Sequence, residues 1–389
     1  MNILRRASTT RLAIAGALIV AAAAAASIAL ASRSGPTPPK RSLAAAIRHS
    51  LSGAPATGVS ARIRFSNHLF PSGALPGAAQ PLLSGATGRL WAGDGKVRIE
   101  LQADNGDTEV GFDGHTAVVY DVASNTAYEM AVPNHAGAQH HAGNGHGVPP
   151  VGRIQGLLDK LAQHVLLSGA IPGDIAGQPS YTVRVSPKHD GGLLGAVELA
   201  FDANRPVPLK VAVLSQGDSN PVLALTVTDI SFGSVPAGDL AVHLAPGAKI
   251  VRVRPPHPPA RPAGSKHQAE VAGQTAVAAA VPFTLNAPAS LVGVPRQDVR
   301  LIDGSGSPGA MVVYGHGLGA IVLVEQQAGS AKDAGPLGSL PSVSINGASG
   351  HELATALGTA IQFNRGGVRY TLVGSLPAAA AEAAARALG

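Results

Sequence analysis

The chain has 389 residues, a formal net charge of +6, 48 glycines, 30 prolines and no cysteine. The lack of cysteine excludes disulfides, thiolate catalysis, cysteine-ligated zinc and a lipid-modified N-terminal cysteine. The basic residues are spread out and never interleaved with aromatics, which argues against a nucleic-acid surface and leaves an anionic membrane or cell wall as the natural counterpart of the charge.

In chain order, Arg5, Arg6 and Arg11 precede an uncharged run from Leu12 to Ser32, and the first acidic residue is Asp94. A basic segment followed by an apolar run directs export, with the remainder of the chain outside the cytoplasm. A run of about 20 residues is long enough to span a bilayer, which favours a retained anchor over residues 1–34. Ala29-Leu30-Ala31 fits the alternative, a cleaved signal peptide that leaves a secreted protein. Ser34 to Lys40 reads as a short extended spacer.

Ser42 to Ser50 is expected to be a helix with Ser42 as its N-cap. A strand follows, with Val59, Ala61, Ile63 and Phe65 on one face and Arg62 and Arg64 on the other. Pro71 to Gly85 is a loop whose Leu75, Leu82 and Leu83 are candidates for a lid. Further strands are expected at Gly88–Ala92, Lys96–Leu101, Glu109–Asp113, Thr116–Asp121 and Ala127–Val132. The turns between them hold Gly93-Asp94-Gly95, Asn105-Gly106, Asp113-Gly114 and Ser124-Asn125. Apolar residues at 154, 157, 158, 161 and 165 predict an amphipathic helix over Pro150 to Val165. From Tyr181 to Val253, short runs alternate apolar and polar residues between Gly, Pro, Asn and Asp, the pattern of an antiparallel meander with one apolar face. About eleven strands with few large side chains predict an α+β domain: an unclosed, strongly curved antiparallel β-barrel with helices over its concave face.

Three sets of residues then resemble a known family. FDANRPVPLKVAVLSQG (Phe201 to Gly217) resembles the hairpin of LolA-like proteins in which an acidic residue, a turn, proline, leucine and lysine lead into an apolar strand. Ile230-Ser231-Phe232, Pro236-Ala237 and Ala241 to Val253 resemble that family's closing strands, and Gly88 to Asp121 its earlier hairpins. The likeness covers roughly Leu43 to Arg254 and is to a superfamily that includes the lipoprotein carrier LolA, the sigma-factor regulator RseB and mycobacterial lipid-binding lipoproteins. It implies a half-barrel whose concave apolar face, lidded by helices, holds acyl chains. The chain departs from the mycobacterial members in lacking a lipobox cysteine, and the carrier's cavity arginine cannot be placed on Arg62 or Arg64.

The domains expected are therefore residues 1–34, the signal or anchor; 42–254, the LolA-like lipid-binding domain; 255–281, a basic proline-rich linker; and 282–389, a small α+β accessory domain. In the last, strands are expected at Arg300–Asp303, Ala310–Tyr314, Ala320–Gln326, Ala360–Asn364 and Val368–Val373. Helices are expected at His351–Thr359 and Pro377–Leu388. Phe363 to Leu388 resembles the end of a domain of unknown function in bacterial envelope and anti-sigma-factor-like proteins, which implies an accessory or sensory module.

Little in the chain points to catalysis. No serine lies in a strand-turn-helix elbow, and Glu100, Glu109 and Asp113 read as solvated strand or turn positions. Gly315-His316-Gly317-Leu318-Gly319 lacks the following helix that a phosphate loop needs and reads as a hairpin turn. His135, His140, His141 and His146 are weak metal candidates in a Gly- and Ala-rich tract without supporting residues. No cofactor is expected. The candidate ligand lining is Ile63, Phe65, Val97, Ile99, Leu101, Val110, Phe112, Val183, Val185, Leu199, Phe201, Val211 and Val213. The function expected is that of a non-enzymatic extracytoplasmic protein that binds an acyl chain, lipid or lipoprotein. The alternatives are an RseB-like envelope-stress regulator contacting an anti-sigma factor or other membrane protein, and, more weakly, a wall-associated structural protein.

Overall fold

The computed structural model describes residues 37–70, 82–83, 85–104, 106–132, 148–188, 192–253, 271–303, 307–329, 338 and 340–388. The expected anchor or signal, the four histidines of the 135–146 tract, Leu75 with most of its loop, Arg254 and residues 255–270 of the linker lie outside these. Among the described residues no helix is long and apolar enough to cross a membrane.

Helix α1 (Leu43–Leu51) begins at Ser42, whose Oγ accepts a hydrogen bond from the Ala45 backbone N–H at 3.3 Å. The capping oxygen satisfies one of the first-turn donors that the helix itself cannot. Six antiparallel strands follow α1: β1 (Gly58–Asn67), β2 (Gly85–Gly93), β3 (Lys96–Ala103), β4 (Gly106–Phe112), β5 (Thr116–Asp121) and β6 (Thr126–Ala131). The β2–β3 turn places Asp94 and Gly95 both at positive φ, 50° and 73°, the backbone that a tight hairpin with the right-handed sheet twist requires. After α2 (Val151–Leu161) come β7 (Val165–Leu167), β8 (Ile171–Ile175), β9 (Gln178–Pro187), β10 (Leu194–Asp202), β11 (Pro208–Ser215), β12 (Pro221–Phe232) and β13 (Lys249–Arg252).

These thirteen strands form one sheet in the order β13-β6-β5-β4-β3-β2-β1-β12-β11-β10-β9-β7, with β8 also on β9. Strand β13 runs parallel to β6, and the sheet does not close on itself. This is the unclosed barrel that the LolA-like resemblance implies. Eleven strands were expected; β7 and β8 are additional, because three residues and the sequence IPGDI carry too little alternation to read as strands. Strand β1 is central and joins two meanders, β2 to β6 on one side and β9 to β12 on the other.

The second sheet orders β14 (Ser290–Leu291), β15 (Val294–Asp303), β16 (Pro308–Tyr314), β17 (Ile321–Gln327), β21 (Val368–Gly374), β20 (Gly358–Arg365), β19 (Ala348–Thr355) and β18 (Ser342–Ile345). Helices α3 (Gln274–Ala280) and α4 (Ala378–Arg386) supply Val277, Ala381, Ala384 and Ala385 to its core. Val271, Val277 and Val281 thus pack with the second sheet, although their sequence reads as the end of a linker. Gly315 to Gly319 is the β16–β17 turn, as expected. The helix expected at His351–Thr359 is a correction: these residues are β19, a turn and the start of β20. HELATAL favours a helix locally, but Gly350 opposes Phe363 and His351 opposes Gln362 in a ladder. Thr355 Oγ1 donates to the Gly358 carbonyl at 2.7 Å and accepts from the Leu357 N–H at 3.2 Å, which ends the strand in a turn. Cross-strand pairing overrides local propensity here. The two sheets meet where Leu193 N–H donates to Ser375 Oγ at 2.8 Å and Ala356 N–H to the Leu69 carbonyl at 3.0 Å.

Candidate functional site

Side chains directly opposite each other in an antiparallel pair lie on the same face, so the register assigns the face of each expected lining residue. Val183 opposes Leu199, Leu199 opposes Val211, Val211 opposes Leu225, and Leu225 opposes Phe65. Val185 opposes Val197, which opposes Val213, and Phe201 opposes Tyr181. Further along, Ile99 opposes Val110, Val97 opposes Phe112, and Leu101 opposes Gly88, the partner of Ile63. All thirteen residues therefore share one face of the sheet.

That face has two parts. Ile63, Phe65, Val97, Ile99, Leu101 and Val110 pack into a buried cluster with Leu90, Val119, Leu225 and Val227. Val183, Val185, Leu199 and Phe201 instead line a cavity of about 410 Å³, closed over by α1 and α2. Phe112, Val211 and Val213 are half-buried and belong to neither set. The rest of the lining is Leu43, Ile47, Ser50 and Leu51 of α1, Leu158 and Leu161 of α2, Leu167, and Pro206-Val207-Pro208. These helical residues were missing from the sequence-derived lining, although the spacing of 154, 157, 158 and 161 had already defined the apolar face of α2.

The wall is apolar almost without exception. Ser50, the one polar side chain in the lining, donates its hydroxyl to the Arg205 carbonyl at 2.6 Å. The turn it holds is tied down by further contacts. Asp202 is fully buried and accepts from the Asn204 and Arg205 N–H groups at 2.7 and 3.0 Å. Burial pushes its pKa up, against the pull of those donors and of the Arg205 charge. The Arg205 guanidinium lies over Phe232, 4.3 Å from the ring centre. The chain just past the end of α1 approaches this turn so closely that a Cβ on Gly53 would sit 1.6 Å from the Asn204 carbonyl oxygen. Below, Tyr181 contacts Phe201 with ring centres 5.9 Å apart and donates its hydroxyl to the Pro39 carbonyl at 2.6 Å.

The mouth is left open. Leu51, Leu161 and Leu199 line the cavity yet are 41, 45 and 36% exposed, and Leu157 beside them is 61% exposed. Helix α2 buries only Ile154 fully. Contiguous exposed apolar side chains mark a surface that something else covers.

The charged groups lie elsewhere. On the opposite face Arg98, almost fully buried, pairs with Glu100 and with Glu109 at 3.1 Å and stacks on Trp91. Glu100 and Glu109 are therefore ion-pair partners of a buried arginine, a correction to the expectation that they are merely solvated. The segment before β13 crosses this face, where Val242 lies over Gly111 and Ala245 N–H donates to the Tyr120 hydroxyl at 3.2 Å. Asp113 occupies a turn, where the Thr116 and His115 N–H groups hold its carboxyl below the usual range. Among the described residues no group of three or more His, Asp or Glu side chains is placed to hold a metal.

No protein-family model matches the chain, and no curated protein matches it significantly. Among solved structures, MucB in complex with MucA(peri) is similar with a TM-score of 0.39 and 17% identity, covering 88% of this chain and 94% of that one. The MucA/MucB complex of Pseudomonas aeruginosa has the same TM-score and coverage at 19% identity. A LolA superfamily protein from Nitrosomonas europaea is similar with a TM-score of 0.21 and 10% identity, over 52% of this chain and 99% of that one. These are likenesses only; the cavity carries the functional reading.

Proposed function

We propose that this chain is a non-enzymatic extracytoplasmic binding protein that holds an acyl chain of a lipid or lipoprotein between the sheet and helices α1 and α2. The single observation behind this reading is the cavity of about 410 Å³ whose lining is apolar and whose one hydroxyl is already engaged. Its size falls within the roughly 300–1,000 Å³ typical of small-molecule sites. With no free polar group to orient a polar ligand, the wall selects for hydrocarbon. Each methylene removed from water contributes about 0.8 kcal/mol, so a twelve-carbon chain gains on the order of 10 kcal/mol before the cost of ordering it. The exported location and the retention of residues 1–34 as a membrane anchor belong to the same proposal, on the basis of the basic and apolar N-terminal sequence.

A second reading, a regulator that contacts an anti-sigma factor or another membrane protein, is favoured by one contact. The Leu193–Ser375 hydrogen bond ties the β9–β10 hairpin, which carries Val183, Val185 and Leu199, to the second sheet. MucB and MucA form a complex with each other, and a filled cavity would supply such a regulator with its signal.

The test is native mass spectrometry of residues 37–389, purified without detergent from a membrane-containing host, followed by extraction of anything bound. A discrete added mass that extracts as lipid supports the reading and names the ligand class. A bare protein that also fails to take up a fluorescent fatty acid refutes acyl binding.

A further inference from the structure

The exposed residues around the cavity mouth form a pattern of their own. On α2, Arg153, Leu157 and Leu161 follow one another at i, i+4 and i+8, with Lys160 three residues after Leu157, so the four share a stripe. All four are exposed. Asp159, the one acid of the helix, is turned off this stripe and accepts from Gln155 Nε2 at 2.7 Å. On α1, exposed Arg48 lies one turn before Leu51. From residue 37 to Leu51 the chain also holds Lys40 and Arg41, both exposed, and no acid. Leucines flanked by one sign of charge, on a helix that buries a single residue fully, match an interfacial helix lying in the headgroup layer.

A protein partner would be recognised by a different surface. Binding interfaces are enriched in Tyr, Trp, Phe, Met and Arg and depleted of Lys; this rim shares the arginines but presents Lys160 and no exposed aromatic. The chain's path agrees with a membrane. The Pro39 carbonyl accepts from Tyr181, whose ring packs on Phe201 of the cavity wall, and the uncharged run Leu12 to Ser32 ends seven residues earlier. Seven residues reach at most about 25 Å.

We infer that the mouth formed by α1 and α2 is a membrane-docking surface, with Leu157, Leu161 and Leu51 inserted among the lipids and Arg48, Arg153 and Lys160 on anionic headgroups. The cavity then opens directly onto the bilayer surface, so that an acyl chain enters or leaves without crossing water.

The experiment uses the full chain, which has no cysteine, with a single Leu157→Cys carrying an environment-sensitive fluorophore. It is reconstituted in vesicles of phosphatidylcholine alone or of equal parts phosphatidylcholine and phosphatidylglycerol, with nitroxide lipid as quencher. A label at Val373→Cys, exposed on the second sheet, is the reference. Docking predicts that the residue-157 label shifts to the blue and is quenched in the anionic vesicles, that salt reverses both changes, and that the residue-373 label is silent. Arg153→Gln with Lys160→Gln is expected to lower the docked-to-free ratio roughly thirty-fold, the loss of two basic contacts near an anionic surface. Docking is overturned if residue 157 is quenched no more than residue 373. It is also overturned if the two vesicle types quench residue 157 alike and the double substitution changes nothing, or if shielding requires an added envelope protein. Docking and acyl loading are separate readouts: a docked chain with an empty cavity refutes the acyl reading alone, and a loaded chain with residue 157 in water refutes docking alone.

Discussion

In the second sheet, α4 presents AAAAEAAAR, and its Ala381, Ala384 and Ala385 are fully buried in the core against the strands. In the first sheet, α1 and α2 present leucines, and the cavity lies between those leucines and the strands. Both sheets have one apolar face and two helices, so the presence of helices does not decide which sheet can take a ligand. The size of the residues at the helix–sheet contact does: small side chains close the gap, while branched ones anchored at few points hold it open. The tight unit encloses even a carboxylic acid. Glu325 is fully buried, accepts from the Asn286 N–H at 3.0 Å through one oxygen and has no hydrogen-bond partner for the other. Burial pushes its pKa up to about 7, and that of neighbouring Tyr314 to about 12.

The sharpest way to break this contrast is a pair of truncations. Leu323→Ala, in the core of the second sheet, is expected to cost about 2–5 kcal/mol, measured as a shift in the urea midpoint of unfolding. Leu199→Ala, at the open mouth, should cost below about 1 kcal/mol while weakening fatty-acid uptake. Equal losses would erase the distinction between the two faces. Next in size is Glu325→Gln. The folded pKa of about 7 lies above the usual 4.5, so below about pH 4.5 the acid is protonated in both states and imposes no penalty. Between pH 4.5 and 7 the unfolded state ionises while the buried acid keeps its proton, so stability falls by about 3 kcal/mol at about 1.4 kcal/mol per pKa unit, and the fall levels off once the folded group ionises as well. The glutamine variant should flatten that fall and be the more stable protein above pH 7; thermal melts at pH 5 and pH 8 report it. Ala384→Leu inserts a branched residue into the close contact and should destabilise by about 1–3 kcal/mol; a neutral outcome would show that α4 has slack. The smallest effect is expected from Ser42→Ala, which removes the α1 cap at a cost of about 1 kcal/mol, seen as a small loss of stability together with a more dynamic cavity roof in hydrogen exchange.

The sequence made the shared face of the thirteen candidate residues legible because strand alternation is a local property, and the register places all of them on that face. It did not show where that face stops being core and becomes cavity. That boundary is set by which helix covers which strands: Ile63 and Ile99 cluster with Leu90 and Val227, whereas Val183 and Leu199 share a cavity with Ile47 and Leu158, which come from other segments of the chain. The misread helix at His351 has the same origin, since HELATAL carries helical propensity and only its pairing with β20 makes it a strand. Nor could spacing alone reveal that Glu100 and Glu109, two polar positions on adjacent strands, close on Arg98.

The central position of β1 has a consequence for how the chain matures. Val59 opposes Phe232 and Phe65 opposes Leu225, so one edge of an early strand waits for a partner made long afterwards. Contacts of such sequence separation are slow to form, and until then the β1–β6 meander carries an unpaired edge open to other chains. Arg62 and Arg64, exposed on the outer face of β1, place two positive charges on that waiting strand. Charges on an unpaired strand disfavour edge-to-edge association, here for as long as the second half of the sheet is still emerging.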